Sequence, residues 1–215
     1  SVAVALHVKG LRGGHSGLEI DKGRGNSIKI LNRTLIALEK LEARISTIEG
    51  GNKSNAIPRE AEALLTIPAK NVKKAKTIVD RCNSTIKAEL ATVEPDLSIT
   101  LEEVQLKKKG KVIKKAQQKM LTQTIAGLPH GVTKMSADIP GLVETSTNVA
   151  IIRTEKSNIV LTTSQRSSVA SEIDEILETV KAVFELGGAK ALQTEGYPGW
   201  KPNLDSRILK TAKST

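Results

Sequence analysis

The chain of 215 residues carries 33 Lys and Arg against 23 Asp and Glu, a net charge of +10, and only three aromatic residues, Phe184, Tyr197 and Trp200. That length folds as one large domain or two small ones. With so few aromatics the core must be built from Leu, Ile, Val and Ala, a composition that also suits an engineered sequence. Cys82 is the single cysteine, which excludes an internal disulfide or a cysteine-based zinc site and fits a reducing, cytoplasmic setting. No apolar run approaches the roughly 20 residues that a bilayer span needs.

Residues 2–11 alternate loosely and are rich in Val, Ala and Leu, the pattern of a strand. No signal-peptide pattern precedes them, so the chain reads as a piece excised from something larger. Ile28, Leu31, Leu35, Leu38 and Leu41 recur at helical spacing over 26–41, with Asn26 or Ser27 as N-cap. A short strand at 44–49 ends in Gly50-Gly51-Asn52, and Asn55-Ala56-Ile57-Pro58 leads into a strand at 61–67. A second amphipathic helix at 72–91 and a strand at 97–105 complete a β-α-β-β-α-β order, the split βαβ arrangement.

The second half repeats the theme. A helix is expected at 114–126, a strand at 132–137, a hairpin of strands 148–153 and 158–165, a helix at 169–186 stopped by Gly187-Gly188, and a last strand at 189–194. The expected fold class is α+β: a duplicated split β-α-β unit forming an about eight-stranded, mostly antiparallel sheet with helices on one face. The two pseudo-repeats span about 1–106 and 107–196. Residues 197–215 read as a rigid connector, Tyr197-Pro198-Gly199-Trp200-Lys201-Pro202, and the start of a helix entering a neighbouring domain.

The dense lysine runs, Lys107 to Lys109 with Lys111 and then Lys114-Lys115, have no interleaved aromatic residue to stack on bases. They read as a solvated hairpin or helix start, so no nucleic-acid partner is expected. The histidines, His7, His15 and His130, lack the H-x-x-x-H, H-E-x-x-H and H-x-D spacings of metal sites. No G-x-S-x-G nucleophile elbow occurs. The stretch Gly10-Leu11-Arg12-Gly13-Gly14-His15-Ser16-Gly17 packs four glycines and a histidine into eight residues, which implies a tight backbone path and leaves the His15 imidazole few bulky neighbours. It lacks the Lys-Ser/Thr pair of a P-loop.

What remains is a binding constellation of His15, Asn55 and Arg166. A histidine can donate to a carbonyl oxygen that becomes an oxyanion, an asparagine can pair with an amide or carboxylate, and an arginine recognises a carboxylate bidentately. Together they suit a peptide or amino-acid derivative. Each is equally an ordinary polar residue of a loop or strand edge.

The glycine stretch continued through Leu18-Glu19-Ile20 and Gly25-Asn26 resembles the signature of bacterial aminoacyl-histidine dipeptidases. Further matching runs are Gly51 to Pro58, Pro140 to Asn148, Gln165 to Ser168 and Tyr197 to Pro202. The resemblance implies a di-zinc exopeptidase whose metal-binding catalytic domain is interrupted by a lid domain. It implies that His15 is the lid histidine that polarises the substrate carbonyl, that Asn55 belongs to the lid's Asn-x-Ile-Pro motif, and that Arg166 binds the substrate carboxylate. Pro68 stands where simpler relatives carry their arginine. The zinc ligands and general-base glutamate of that family lie before and after the lid, and none of their motifs is in this sequence. The expectation is therefore a lid inactive by itself, without a cofactor in this chain. Its partners would be a dipeptide and the missing catalytic domain, with no membrane contact; the two zinc ions would belong to the full-length enzyme. The other reading is a non-catalytic binding or scaffold domain of the same fold.

Overall fold

The computed structural model describes residues 1–105, 110–156 and 158–196, with positions 199, 203, 206, 207 and 211. The lysine run at 107–109 and most of the expected connector and helix start lie outside the described residues.

The strand expected first is β1 (Val2–Lys9). Its alternation places Val4, Leu6 and Val8 in the core with no exposed surface, as the two-residue period of a pleated strand requires. A two-residue strand β2 (Gly14–His15), helix α1 (Ser27–Leu38) and strand β3 (Arg44–Gly50) follow. Next come the short β4 (Ala56–Ile57), β5 (Ala61–Ile67), helix α2 (Val72–Glu89) and β6 (Ser98–Glu103). β1 lies between β6 and β5, antiparallel to both, and β5 pairs antiparallel with β3. This is the split βαβ order expected of the first half.

The second half contains α3 (Lys115–Gly127), β7 (Gly131–Met135), β8 (Val143–Glu155), β9 (Asn158–Ser167) and α4 (Ala170–Leu186). β8 joins the halves. Its hairpin with β9 runs from Thr145↔Ser167 to Glu155↔Asn158. Its other edge is shared, with β7 along residues 143–147 and β3 at Ile152 and Arg153. Among the described residues the main sheet thus has seven antiparallel strands, with β2 and β4 as a separate ribbon. Ile125 of α3, Val149 and Ile152 of β8 and Val180 of α4 join the side chains of the first half in one hydrophobic cluster. The aliphatic core read from composition is the core that forms.

α1 is more enclosed than its apolar stripe suggests. Ile28, Leu31, Leu35 and Leu38 are buried as the spacing predicts, but Ser27, Asn32 and Thr34 are buried too. Polar groups on the second face meet the other half: Asn32 Nδ2 donates to the Thr122 carbonyl of α3 at 2.9 Å. Lys29 Nζ donates to the carbonyls of Ile125, Ala126 and Leu128. A cation at those carbonyls satisfies the open end of α3 and complements its dipole. Burial lowers the Lys29 pKa.

The N-cap is Asn26. Its Oδ1 accepts from the Ile28 and Lys29 amides, while Nδ2 donates to the Val149 carbonyl of β8 at 2.8 Å and lies 3.3 Å from His130 Nδ1. At the far end of the second half, α4 closes with Gly188 N–H donating to the Glu185 carbonyl and Ala189 N–H to that of Phe184, the stop that Gly187-Gly188 announces.

The strand expected at 189–194 is not formed. Leu192 is 79% exposed, so no apolar burial offsets the entropy of pinning the segment in a ladder. The second half consequently lacks the final strand of the split unit.

The Asn26 contacts generate two predictions. Asn26→Ala removes a helix cap and a buried bond between the halves, and is expected to destabilise the fold by about 2–3 kcal/mol in urea titration. His130 has its pKa lowered from 6.5 to about 4, first by desolvation and then by Lys29. Neutral in the fold, it gains a proton on unfolding between about pH 4 and 6.5. Stability is therefore expected to fall through that window as pH is lowered, by on the order of 2 kcal/mol; His130→Asn should flatten that part of the curve.

Candidate functional site

The loop between β1 and α1 carries His15 on a backbone that glycine permits. Gly13 has φ of +64°, a left-handed conformation that costs an L-residue with a side chain roughly 1–2 kcal/mol. The loop's stem is closed by Glu94, which has no exposed surface. Its Oε2 accepts from the Arg12 amide at 2.7 Å and its Oε1 from the Gly25 amide at 3.0 Å. Both ends of the loop are thus held by one carboxylate from the segment after α2.

Within the loop, Glu19 Oε2 accepts the His15 backbone N–H at 2.8 Å. Its Oε1 lies 2.8 Å from Arg24 Nη2, and Arg24 Nη1 donates to the Gly13 carbonyl. The amide of His15, aided by the guanidinium of Arg24, holds the Glu19 carboxyl below its usual pKa against an opposing desolvation. Backbone and ion pair together draw the loop into a closed circuit around His15.

The imidazole is oriented by the residues after it. Nδ1 of His15 accepts from the Gly17 amide at 3.1 Å and the Leu18 amide at 3.2 Å. A nitrogen accepting two N–H groups carries no proton, so the neutral ring bears its hydrogen on Nε2. His15 is therefore built as an Nε2–H donor, the group that suits a developing oxyanion.

β2 pairs antiparallel with β4, Gly14 opposite Ile57 and His15 opposite Ala56, and the ribbon is extended by Ser16 N–H donating to the Asn55 carbonyl at 2.9 Å. Asn55 is thereby placed one residue from the partner of His15, with its side chain exposed. Arg166 arrives from β9, opposite Ser146 of β8. A Cβ on Gly17 would stand 3.2 Å from Arg166 Nε and 3.2 Å from His15 Cε1. The bare glycine is what lets both side chains approach. Gly17, Ser54, Asn55, Ser146 and Arg166 line one open hollow. His15 does not line that hollow, but it meets Arg166 at Gly17 although 151 positions separate the two, and Asn55 joins the same ribbon through its backbone carbonyl.

Three residues to which the sequence alone assigns no role take part. Glu19 stands four positions after His15, a spacing visible in the chain. Asn148 ends one of the resembling runs and donates through Nδ2 to the Ala56 carbonyl at 2.8 Å. Glu94 has no local signal, because its amide partners lie 82 and 69 residues away.

Among the described residues no three His, Cys, Asp or Glu side chains converge as a metal group. The described residues do not fit the zinc pair that the resemblance implies for the full-length enzymes. No helix among them is long and apolar enough to cross a membrane.

Residues 6–94 match the family described as "Peptidase dimerisation domain". The chain is 35% identical over 98% of its length to the cytosol non-specific dipeptidase of Escherichia coli (strain K12), covering 43% of that protein. It superposes on the crystal structure of aminoacylhistidine dipeptidase from Vibrio alginolyticus with a TM-score of 0.92 and 36% identity, over 97% of this chain and 42% of that one. The chain spans less than half the length of either relative. Over residues 6–94 it is similar to a peptidase dimerisation domain, and it is similar to these dipeptidases along nearly its whole length.

The Glu94 clamp and the tautomer of His15 are both measurable. Glu94→Ala leaves two amides of the loop stem without their acceptor and is expected to cost about 2–4 kcal/mol in chemical denaturation. Nitrogen-15 NMR of the His15 ring at neutral pH is expected to show a protonated Nε2 and an unprotonated Nδ1; an equal mixture of tautomers would contradict the geometry.

Proposed function

We propose that this chain is the lid and substrate-binding domain of a dipeptidase acting on dipeptides with a C-terminal histidine. In this reading His15 donates its Nε2–H to the scissile carbonyl oxygen as negative charge develops there. Arg166 holds the free carboxylate as a two-pronged ion pair, and Asn55 adds an amide contact beside it. The reacting carbonyl itself would be attacked in a catalytic domain supplied from outside the described residues. Zinc, if used by the whole enzyme, would be held there, with the metal's part in the chemistry belonging to that domain.

The observation that carries the reading is the approach of His15 Cε1 and Arg166 Nε to one point, each 3.2 Å from where a Cβ on Gly17 would stand. A dipeptide has one residue, about 3.8 Å of Cα spacing, between the acyl group under attack and the terminal carboxylate. An oxyanion donor and a guanidinium that meet at one glycine suit that short separation. The names of the two relatives, one a non-specific dipeptidase and one an aminoacylhistidine dipeptidase, agree on the reaction class. We place the protein in the cytoplasm, as the name of the Escherichia coli relative suggests for that protein. We further read residues 1–196 as the lid and 197–215 as its connector.

The test is complementation. The chain is mixed with a lid-deleted catalytic portion of a related dipeptidase and assayed on β-Ala-His. Restored cleavage is expected from the wild-type chain. His15→Ala should lower kcat by about 10²–10³-fold, as loss of one oxyanion donor does, and Arg166→Ala should act mainly through KM. The chain alone should give no turnover. No rescue by the wild-type chain would favour a binding or scaffold role for the same fold.

A further inference from the structure

We propose that Asn148 is a positioning residue that sets His15 in register with Arg166. The inference rests on the reading of those two residues as the substrate-contacting pair, and it names the device that keeps their separation constant.

Few ladder bonds hold the His15 strand. β2 and β4 contribute two residue pairs to a ribbon separate from the main sheet, and an isolated ribbon of that length has no stability of its own. Asn148 supplies a bond to it from the main sheet. It lies in β8 with 1% of its surface exposed, and its Nδ2 reaches the carbonyl of Ala56. Ala56 is the residue directly opposite His15. One side chain therefore ties the partner of His15 to the strand that pairs with β9.

The same strand holds Arg166. Asn148 stands opposite Ser164 of β9, two positions from Arg166. Around Arg166 the hairpin is cross-linked by side chains: Gln165 Nε2 donates to Thr147 Oγ1 at 3.2 Å, and the hydroxyls of Thr145 and Ser167 lie 2.9 Å apart. Thr145, Ser146, Thr147 and Asn148 are all buried. A rigid stretch of β8 thus grips Arg166 through its neighbours and the His15 ribbon through Asn148. The amide is held at a cost, because Asn148 Oδ1 is buried without a hydrogen-bond partner among the described residues. An apolar residue of the same shape would avoid that orphan acceptor, but would lose the tether.

The test compares the wild-type chain with Asn148→Leu and Asn148→Ala by amide hydrogen exchange and by nitrogen-15 NMR of the His15 ring. In Asn148→Leu, exchange at Ser16, Gly17 and Leu18 is expected to accelerate at least tenfold. The ring should shift toward a mixture of tautomers as its two amide donors loosen. Protection at Leu6 of β1 and Leu65 of β5 should stay within twofold. Asn148→Ala should behave alike if it folds, and the leucine variant decides if it does not. Unchanged exchange at residues 16–18, or an equal loss of protection in β1 and β5, would overturn the proposal. Its failure is separable from failure of the functional reading. Complementation by the wild-type chain tests that reading alone, whereas the exchange experiment needs no activity.

Discussion

A carboxylate with no access to solvent governs how the loop of His15 leaves and re-enters the fold. Glu94 accepts one amide from each stem of that loop. Removing a charge from water costs several kcal/mol unless charge-assisted hydrogen bonds replace the lost hydration. The two amides do so, and they carry no charge of their own that would need further compensation. The clamp leaves the loop free to project its glycines and imidazole while fixing where they begin and end. Every later feature of the site presupposes those fixed ends: the Glu19–Arg24 circuit, the two amides on His15 Nδ1 and the ribbon with β4.

A second constraint joins the two halves. α1 is buried on two sides, and its polar residues Asn26, Lys29 and Asn32 all bond to backbone carbonyls of the second half. Buried backbone carbonyls that no neighbour satisfies are costly, so the seam specifies one docking of α3 and β8 on α1. An apolar seam would tolerate sliding more readily, since dispersion and burial are not directional. A functional consequence follows. His15 and Asn55 come from the first half and Arg166 from the second, so their separation stays fixed only if the halves move as one body.

Much of this architecture is legible in the residues. The two-residue alternation of Val4, Leu6 and Val8 and the helical spacing of Ile28, Leu31, Leu35 and Leu38 identify elements whose inner faces are buried as expected. Asn26 caps its helix, and Gly187-Gly188 ends α4. The strand expected at 189–194 fails because Ala and Lys are poor strand formers and a strand also needs a partner edge and a face to bury. Leu192 finds neither.

The sequence by itself determined most of the elements, the aliphatic core and the functional groups that His15, Asn55 and Arg166 carry, because periodicity, capping and functional-group type are local properties of the chain. Tertiary structure alone decided which nitrogen of His15 carries the proton, how near Arg166 comes to it, and that Glu94 and Asn148 hold the arrangement. Those outcomes depend on hydrogen bonds between residues tens of positions apart. A carboxylate or an amide in a sequence carries no mark of the distant backbone group that it will meet, and only the packing of α2, β4 and β8 brings those partners within reach.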